Sequence, residues 1–418
     1  MEAMTTKRVP TCVVAATVAG NALEFFDFVA YSFFAVYIGQ TFFPSKDEFT
    51  SLLLTVGVFG VGFVFRPLGG ILIGAYADRA GRRPAMLLTI VLITVGTMGL
   101  ALTPSYASIG IAAPVMVILC RLVQGLALGG EVGPASVFLI EAAPPGKRGL
   151  YSSWQLASQG IAVLAAGLLG VMLSLVLDKQ ALGTWGWRVP FVLCLLLVPV
   201  AFYLRRAMPE TYEPGAQVKG ARLSDHVKVI VLAVLLILGG TVSTYVSNYM
   251  TTYAIKTLHL PDTTALTATV VGGVALFAGA LVGGWLADRF GRRGTMLWPR
   301  LLLTLTTWPM FLLLAREPSA GMLYLATTVL TVLTAIGSTA SLVAIPELLP
   351  RSIRATGLSI AYAVGVSLFG GSTQFVITWL LQLTGDATSP AWYVTATSVI
   401  TLAAMWVMPE SRDRDLDA

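Results

Sequence analysis

Two closely similar stretches decide the fold: Gly74-Ala-Tyr-Ala-Asp-Arg-Ala-Gly-Arg-Arg83 and Gly284-Trp-Leu-Ala-Asp-Arg-Phe-Gly-Arg-Arg293, which lie 210 positions apart. A second pair, Glu141-Ala-Ala-Pro-Pro-Gly-Lys-Arg148 and Glu347-Leu-Leu-Pro-Arg-Ser-Ile-Arg354, recurs at a spacing of 206. Each member follows a long apolar segment. The chain is therefore predicted to consist of two related halves, each with the same order of apolar segments and charged loops.

The composition indicates a protein that lies mainly in lipid. Of the 418 residues, 56% are hydrophobic and 11% are charged, whereas a soluble protein carries about 25% charged residues. The net charge of +6 does not indicate nucleic-acid binding, because the basic residues cluster in short loops between apolar spans. Three separated cysteines and two histidines predict no disulfide framework, no metal site and no cofactor.

Apolar segments long enough to cross a bilayer occur twelve times, since a helix needs about 20 residues to do so. Backbone groups in lipid must bond within their own segment, so these spans should be helical. We predict an all-α polytopic membrane protein with twelve transmembrane helices in two pseudo-symmetric six-helix bundles. The predicted spans are 11–39, 51–76, 85–103, 111–140, 151–177, 187–205, 227–255, 263–286, 296–315, 321–346, 355–383 and 390–408.

The distribution of loop charge predicts the orientation. One set of loops and the two termini carry nineteen Lys and Arg residues, and the opposite set carries five. Positive loops stay in the cytoplasm, so both termini and the central loop are predicted to be cytoplasmic. The central polar stretch divides the chain into a bundle over 1–208, a linker over 209–226 and a second bundle over 227–418. The first span is read as a retained helix, because it is too long for a signal-peptide core.

The repeated loops predict ion pairs that close the cytoplasmic ends of the helices. Arg148 could bind Asp78 or Glu141, and in the second half Arg354 could bind Asp288 or Glu347 in the same way. A negative charge is favoured at a helix N-terminus, where Asp78 could sit. Ordinary loop charges would be scattered and would not repeat a ten-residue pattern. The predicted latch comprises Asp78, Arg79, Arg82, Arg83, Glu141, Arg148, Asp288, Arg289, Arg292, Arg293, Glu347 and Arg354.

The Gly-x-x-x-Asp-Arg-x-Gly-Arg-Arg loops resemble the signature of the major facilitator superfamily, and the resemblance covers nearly the whole chain. It implies two six-helix bundles that rock about a central cavity. Internal repeats are typical of secondary transporters, whose site lies at the repeat interface near the bilayer midplane.

Several ionisable residues fall inside predicted spans, where each would cost at least about 2.5–3.5 kcal/mol if it faced lipid. The first span carries Asn21, Glu24 and Asp27 at a spacing of three, on one helix face. Functionally, Arg66 or Arg121 would bind an anion, and Glu24, Asp27 or Glu131 would take up a proton. Arrival of the anion at the arginine would release the carboxylate and link the two events. The alternative is that these charges only hold helices together.

Uncharged polar residues extend this candidate site. The predicted substrate-binding set is Asn21, Arg66, Arg121, Gln124, Gln155, Ser158, Gln159, Tyr245, Asn248, Tyr249 and Gln374. Ser372 and Thr373 share the last of these spans. Polar residues also join membrane helices without any ligand, so both readings stay open. Arg300 is placed near the cytoplasmic end of its helix, where it should snorkel to water, and receives no role.

Four stretches resemble the metabolite:proton symporter branch of that superfamily: 20–28, 65–70, 121–131 and 185–191. Two more, 151–159 and 383–392, resemble the citrate and tricarballylate symporters. The resemblance implies import of a tricarboxylate with protons. It leaves open another organic acid, such as 2-oxoglutarate or shikimate, and an osmolyte or zwitterion carrier. Pro134 departs from the citrate carriers, and the long C-terminal coiled coil of osmosensing members is not found, which argues against an osmolyte role.

Other classes of protein fit less well. The chain has no Gly-x-x-x-x-Gly-Lys-Ser/Thr loop and no nucleophile elbow, so we expect no enzyme and no ATP-driven pump. A static receptor would not need paired latch loops, and a uniporter or exchanger would ignore the proton gradient. The expected partners are a small organic anion, protons and the lipid bilayer, without nucleic acid. We expect a monomer in a bacterial inner membrane.

Overall fold

The computed structural model describes residues 11–80, 82–129, 136, 139–140, 143–206, 223–350 and 353–412. These residues form helices and short connections, with no strand among them. Twelve helical spans, here α1 to α12, follow the order predicted from the sequence. The division of the bundles at 208 and 227 stays a prediction, because residues 207–222 lie outside the described part.

The first six spans are α1 (Thr11–Phe33 with Ala35–Phe42), α2 (Glu48–Val64 with Arg66–Ala80), α3 (Arg82–Leu102), α4 (Ala112–Gly129), α5 (Arg148–Val176) and α6 (Val189–Arg206). The second six are α7 (Val227–Lys256), α8 (Asp262–Phe290), α9 (Arg292–Arg316), α10 (Ala320–Glu347), α11 (Arg354–Gly365 with Gly371–Thr384, joined by a π-helical turn) and α12 (Ser389–Val407).

The predicted twelve spans are confirmed among the described residues. Nine helices are long and apolar enough to cross a membrane as single spans. A tenth, α1, is bent by 66° after Phe33. Of the remaining two, α3 contains the shorter apolar stretch Leu87–Leu102, and α6 overlaps the apolar stretch Gly186–Val200, which begins in the turn before it. The protein is therefore a multi-pass membrane protein.

The two bundles pack together through helices that place small residues at the contact. A Cβ added to Gly160 of α5 would lie 2.6 Å from the backbone nitrogen of Phe277 in α8. One added to Gly284 of α8 would lie 2.6 Å from the carbonyl oxygen of Gly149. Membrane helices associate closely where residues are small, so α5 and α8 can run side by side along their length. Gly60 of α2 and Gly371 of α11 make a second close approach.

Candidate functional site

A closed chain of hydrogen bonds lies inside the first bundle and joins α1, α3 and α4. Arg121 Nη1 donates to Gln124 Oε1 at 2.8 Å, and Gln124 Nε2 donates to Asp27 Oδ2 at 2.8 Å. Thr97 Oγ1 donates to the other Asp27 oxygen at 2.9 Å and accepts from Gln124 Nε2 at 3.0 Å. Asp27 and Arg121 are only 3% and 2% exposed. A buried carboxylate is thus linked to a buried guanidinium through one amide side chain.

Aromatic rings surround the two guanidinium groups of this bundle. The Arg66 guanidinium carbon lies 4.0 Å from the Phe63 ring centroid and 4.9 Å from that of Phe28. The Arg121 guanidinium carbon lies 4.5 Å from the Tyr31 centroid. Such contacts stabilise a cation by about 0.5–2 kcal/mol without using its N–H donors. Arg66 Nε is buried without a hydrogen-bond partner and so remains available to an acceptor.

A cavity of about 70 Å³ lies between the two bundles. Gln159 of α5 lines it from the first bundle, while Tyr245 of α7, Ser338 of α10 and Tyr362 of α11 line it from the second. The Tyr245 and Tyr362 hydroxyls lie within electrostatic range of the Arg66 guanidinium. The predicted residues Arg66, Gln159 and Tyr245 are therefore brought together at the interface of the halves.

Three other predicted residues bond to one another. Asn21 Nδ2 donates to Ser158 Oγ at 2.6 Å and to the Gln155 carbonyl oxygen at 3.1 Å. Gln155 Nε2 donates back to Asn21 Oδ1 at 3.0 Å. This arrangement joins α1 to α5 and uses the amide groups for helix packing. A substrate-binding role for Asn21, Gln155 and Ser158 stays a prediction. Their hydrogen bonds to one another favour a role in helix packing.

The predicted residues of the second bundle divide between packing and a second cavity. Tyr249 Oη accepts from Thr378 Oγ1 at 2.8 Å, and Gln374 Nε2 donates to Ser32 Oγ of the first bundle. Asn248 lines a separate cavity of about 30 Å³, and its Nδ2 is buried without a partner. Asn248 can therefore serve a ligand, whereas Tyr249 and Gln374 connect helices.

The remaining proton-site candidates are placed less directly. Glu24 is half-buried on α1, one turn before Asp27. Glu131 lies outside the described residues, and so does Glu141 of the predicted latch. The side chains of the first-half latch residues Asp78, Arg79, Arg82 and Arg83 are also outside the described part.

The second-half loop reaches across to the first bundle at the face of the molecule that carries the repeated loops, called the motif face below. Asp288 Oδ1 accepts from the Gly149 N–H at 2.7 Å, and Oδ2 accepts from the Leu150 N–H at 2.9 Å. These N–H groups belong to the first turn of α5. Backbone N–H groups there have no carbonyl acceptor within their own helix. A carboxylate is favoured there by the helix dipole. Asp288 thus caps a helix of the other bundle.

Glu347 is the centre of the ion-pair cluster at the motif face. Arg292 donates to both of its carboxylate oxygens, from Nε at 3.0 Å and from Nη2 at 2.8 Å. Arg148 Nη1 of the first bundle lies 3.6 Å from Glu347 Oε1, and Ser411 Oγ donates to Oε2 at 2.8 Å. From the sequence we predicted Asp288 or Glu347 as the partner of Arg354, and Asp78 or Glu141 as the partner of Arg148. Neither the Arg292 fork nor the cross-bundle partner of Arg148 was anticipated.

The other described latch residues hold the C-terminal end of α12. Arg293 Nη2 donates to the Trp406 carbonyl oxygen at 2.7 Å, and the Arg289 carbonyl oxygen accepts from Arg412 Nη1 at 3.0 Å. Burial would raise the pKa of Glu410, but hydrogen bonds from four backbone N–H groups outweigh it and hold the pKa below its usual value. Arg354 Nε donates to the Pro346 carbonyl oxygen at 2.9 Å.

One prediction is wrong: Arg300 does not snorkel to water. Its side chain is 1% exposed and points into the second bundle, where Nη1 donates to the Gly239 carbonyl oxygen and to Ser243 Oγ. A lone arginine near a span end gives no sign in the sequence of which way its side chain turns. Thr97 was also missed, since a single threonine in an apolar span resembles many others.

Comparison with known proteins agrees with this architecture. The model of the Major Facilitator Superfamily matches residues 17–370. A citrate-proton symporter of Salmonella typhi is 38% identical over 92% of this chain and 91% of its own length. An alpha-ketoglutarate permease of Escherichia coli K12 is 35% identical, covering 91% and 90%. The partially occluded inward-open structure of the E. coli xylose transporter XylE superposes with a TM-score of 0.80 at 18% identity, covering 97% and 99%.

Proposed function

Because the chain belongs to the Major Facilitator Superfamily, whose members are transporters and not enzymes, we propose that it imports a tricarboxylate together with protons by alternating access. Citrate and tricarballylate are the substrates that the sequence favours. The observation that carries this proposal is the link from buried Asp27 through Gln124 to Arg121. It places a group that can hold a proton beside a cation that can bind a carboxylate.

The hydrogen bonds suggest how anion and proton binding support each other. A substrate carboxylate that accepts from Arg121 Nη1 competes with Gln124 Oε1 for the same donor. It also neutralises the positive charge that favours ionised Asp27. Asp27 then binds a proton more readily, which is the sign required for symport, because each ligand strengthens the binding of the other. Release of either ligand favours release of the second.

Arg66 extends the site toward the central cavity. Its free Nε and its aromatic neighbours suit a second carboxylate of the same substrate. Arginine binds carboxylates through paired N–H donors and stays charged at all physiological pH values. Tyr245 and Gln159 can donate or accept from the cavity wall. An organic acid with several carboxylates uses this set more fully than a zwitterion does.

Uptake into proteoliposomes with an imposed pH gradient tests the proposal. Labelled citrate, tricarballylate, 2-oxoglutarate and betaine are compared on the same preparation. We expect citrate or tricarballylate to accumulate only when the lumen is alkaline relative to the outside, and collapse of the gradient to abolish accumulation. Accumulation of 2-oxoglutarate alone would move the substrate to a dicarboxylate, as the relative that is an alpha-ketoglutarate permease suggests. Uptake indifferent to the gradient would refute proton coupling.

The placement in the cell follows from the same proposal. We infer a bacterial inner-membrane protein with both termini in the cytoplasm, working as a monomer of two bundles over 1–208 and 227–418 joined by the linker 209–226. The nineteen-to-five bias in loop charge supports this orientation. Labelling of a cysteine introduced at Lys46, in intact cells with a membrane-impermeant reagent, should succeed, while one introduced at Lys147 should be protected.

A further inference from the structure

The predicted membrane spans of the second half contain one charged residue away from their ends, Arg300. Within the predicted spans 227–255, 263–286, 296–315, 321–346, 355–383 and 390–408, the Asp, Glu, Lys and Arg residues are Arg300 and Lys228, and Lys228 lies in the first turn of α7 at the end of its span. Arg300 lies eight residues into α9, about 12 Å from the start of that helix at 1.5 Å per residue. No carboxylate of these spans can therefore neutralise it. An uncompensated buried charge is costly, so a functional partner is the default expectation for it.

The hydrogen bonds of Arg300 are incomplete. Nη1 donates to the Gly239 carbonyl oxygen at 3.0 Å and to Ser243 Oγ at 2.9 Å. Nε and Nη2 are buried without any partner, and so is the neighbouring Ser338 Oγ. Buried donors are nearly always satisfied in a folded protein. Arg300 Nε, Arg300 Nη2 and Ser338 Oγ can therefore donate together to one negatively charged acceptor.

A glycine opens this place toward the central cavity. Gly240 and Ser338 both line the 70 Å³ cavity between the bundles. A Cβ added to Gly240 would lie 2.6 Å from Ser338 Oγ and 3.7 Å from Arg300 Nη2. Any larger residue at 240 would stand between the cavity and the guanidinium. Because Gly240 has no side chain, only its backbone separates the cavity from the Arg300 guanidinium, and a ligand in the cavity can approach Nη2 there.

We propose that Arg300, with Ser338, is a second anion-binding site that takes one carboxylate of the substrate from the side of the second bundle. This inference rests on the proposed function and deepens it. Arg66 and Arg121 bind from the first bundle, so a substrate with several carboxylates bridges the two halves. An acid with fewer carboxylates engages one half fully and gains less from closure of the halves. Arg300 is in this way a specificity-determining residue for polycarboxylates.

Binding of labelled citrate to the purified protein in detergent, with competition by succinate, tests this site. Arg300→Gln should raise the Kd of citrate by about tenfold or more, the usual effect of one hydrogen bond to a charged group. The Kd of succinate, with one carboxylate fewer, should change by less than about threefold. Gly240→Ala and Ser338→Ala should each weaken citrate binding by a smaller factor in the same direction. Arg316→Gln, at the exposed end of the same helix, is the matched control.

The outcomes separate the two proposals. Wild-type protein that neither binds nor transports citrate or tricarballylate refutes the proposed function itself. Wild-type binding together with an unchanged citrate Kd in Arg300→Gln refutes only the role of Arg300. Equal losses for citrate and succinate would show that Arg300 supports the fold and does not read the substrate. Should Arg300→Gln fail to insert, Ser338→Ala decides alone, because it removes a hydroxyl with little change in volume.

Discussion

The two bundles carry the same loop motif, but the charged side chains that the structure describes lie in different places in them. In the first bundle, Asp27 and Arg121 lie deep between helices and are joined through Gln124. In the second, Asp288, Arg292 and Glu347 pair with one another at the motif face, where Asp288 and Glu347 also contact the first bundle. Duplication thus supplied two similar scaffolds. On the proposed function, proton binding falls to Asp27 in the first bundle, while the described ion pairs of the second bundle lie at the motif face.

Removal of Arg121 should have the largest effect. Arg121→Ala should lower the initial rate of citrate uptake by about 100-fold or more. The substrate loses a charged hydrogen-bond donor, and Gln124 Oε1 loses the Arg121 N–H that it accepts from. Arg121→Lys keeps the charge without the planar fork and should recover only part of the activity. Rates are normalised to inserted protein, with Arg316→Ala as control. Normal uptake by Arg121→Ala would make the buried charges of the first bundle purely structural.

Loss of the ionisable group at position 27 should uncouple transport. Asp27→Asn keeps the size of the side chain, and Thr97 can turn its hydroxyl to accept from the new amide. We expect the accumulation ratio of citrate to fall to about one, while exchange of labelled for unlabelled citrate stays within about threefold of wild type. Both are measured in the same proteoliposomes. Glu24→Gln is the matched comparison, because Glu24 lies one turn away on α1.

If Asp27→Asn still concentrates citrate and Glu24→Gln does not, the proton site moves one turn along the helix. If both variants concentrate citrate, the coupling group lies elsewhere, and the assignment of proton chemistry to these two residues fails.

At the motif face, Glu347→Ala should destabilise the second bundle. Arg292 is 2% exposed, so removal of Glu347 leaves a buried guanidinium short of acceptors, which costs about 3–5 kcal/mol. The thermal unfolding midpoint in detergent should fall. The double variant Arg292→Met with Glu347→Ala should recover part of that loss, because no charge is then stranded. A double variant as unstable as Glu347→Ala would mean that Glu347 acts through other contacts.

The sequence predicted the scaffold well because the bilayer imposes simple rules. Length and apolarity locate twelve spans, and the repeat at 210 positions shows two halves. Asp27, Gln124 and Arg121 were found as polar groups at bilayer depth. The free-energy cost of exposing such groups to lipid is the same whichever helices are neighbours, so they could be found without knowing the packing.

What escaped prediction depends on packing between helices. Thr97 joins the hydrogen bonds of Asp27 and Gln124 only because α3 lies against α1 and α4. Arg148 pairs with Glu347 across the bundles, and no offset within the chain shows which half a loop will face. Arg300 turns inward because Gly239 and Ser243 of α7 supply acceptors for Nη1. Sequence spacing carries no information about such a neighbour.

The ion pair that crosses between the bundles should give the smallest effect. Arg148 Nη1 lies 3.6 Å from Glu347 Oε1, beyond hydrogen-bonding distance, and Arg292 already donates to both oxygens of this buried carboxylate. We therefore expect Arg148 to add about 1 kcal/mol or less. Arg148→Gln should change the uptake rate by no more than about threefold, and the difference should shrink at 1 M salt. Arg148→Lys should behave as wild type. A loss beyond tenfold would show that this cross-bundle pair, and not the Asp288 cap on α5, holds the motif face closed.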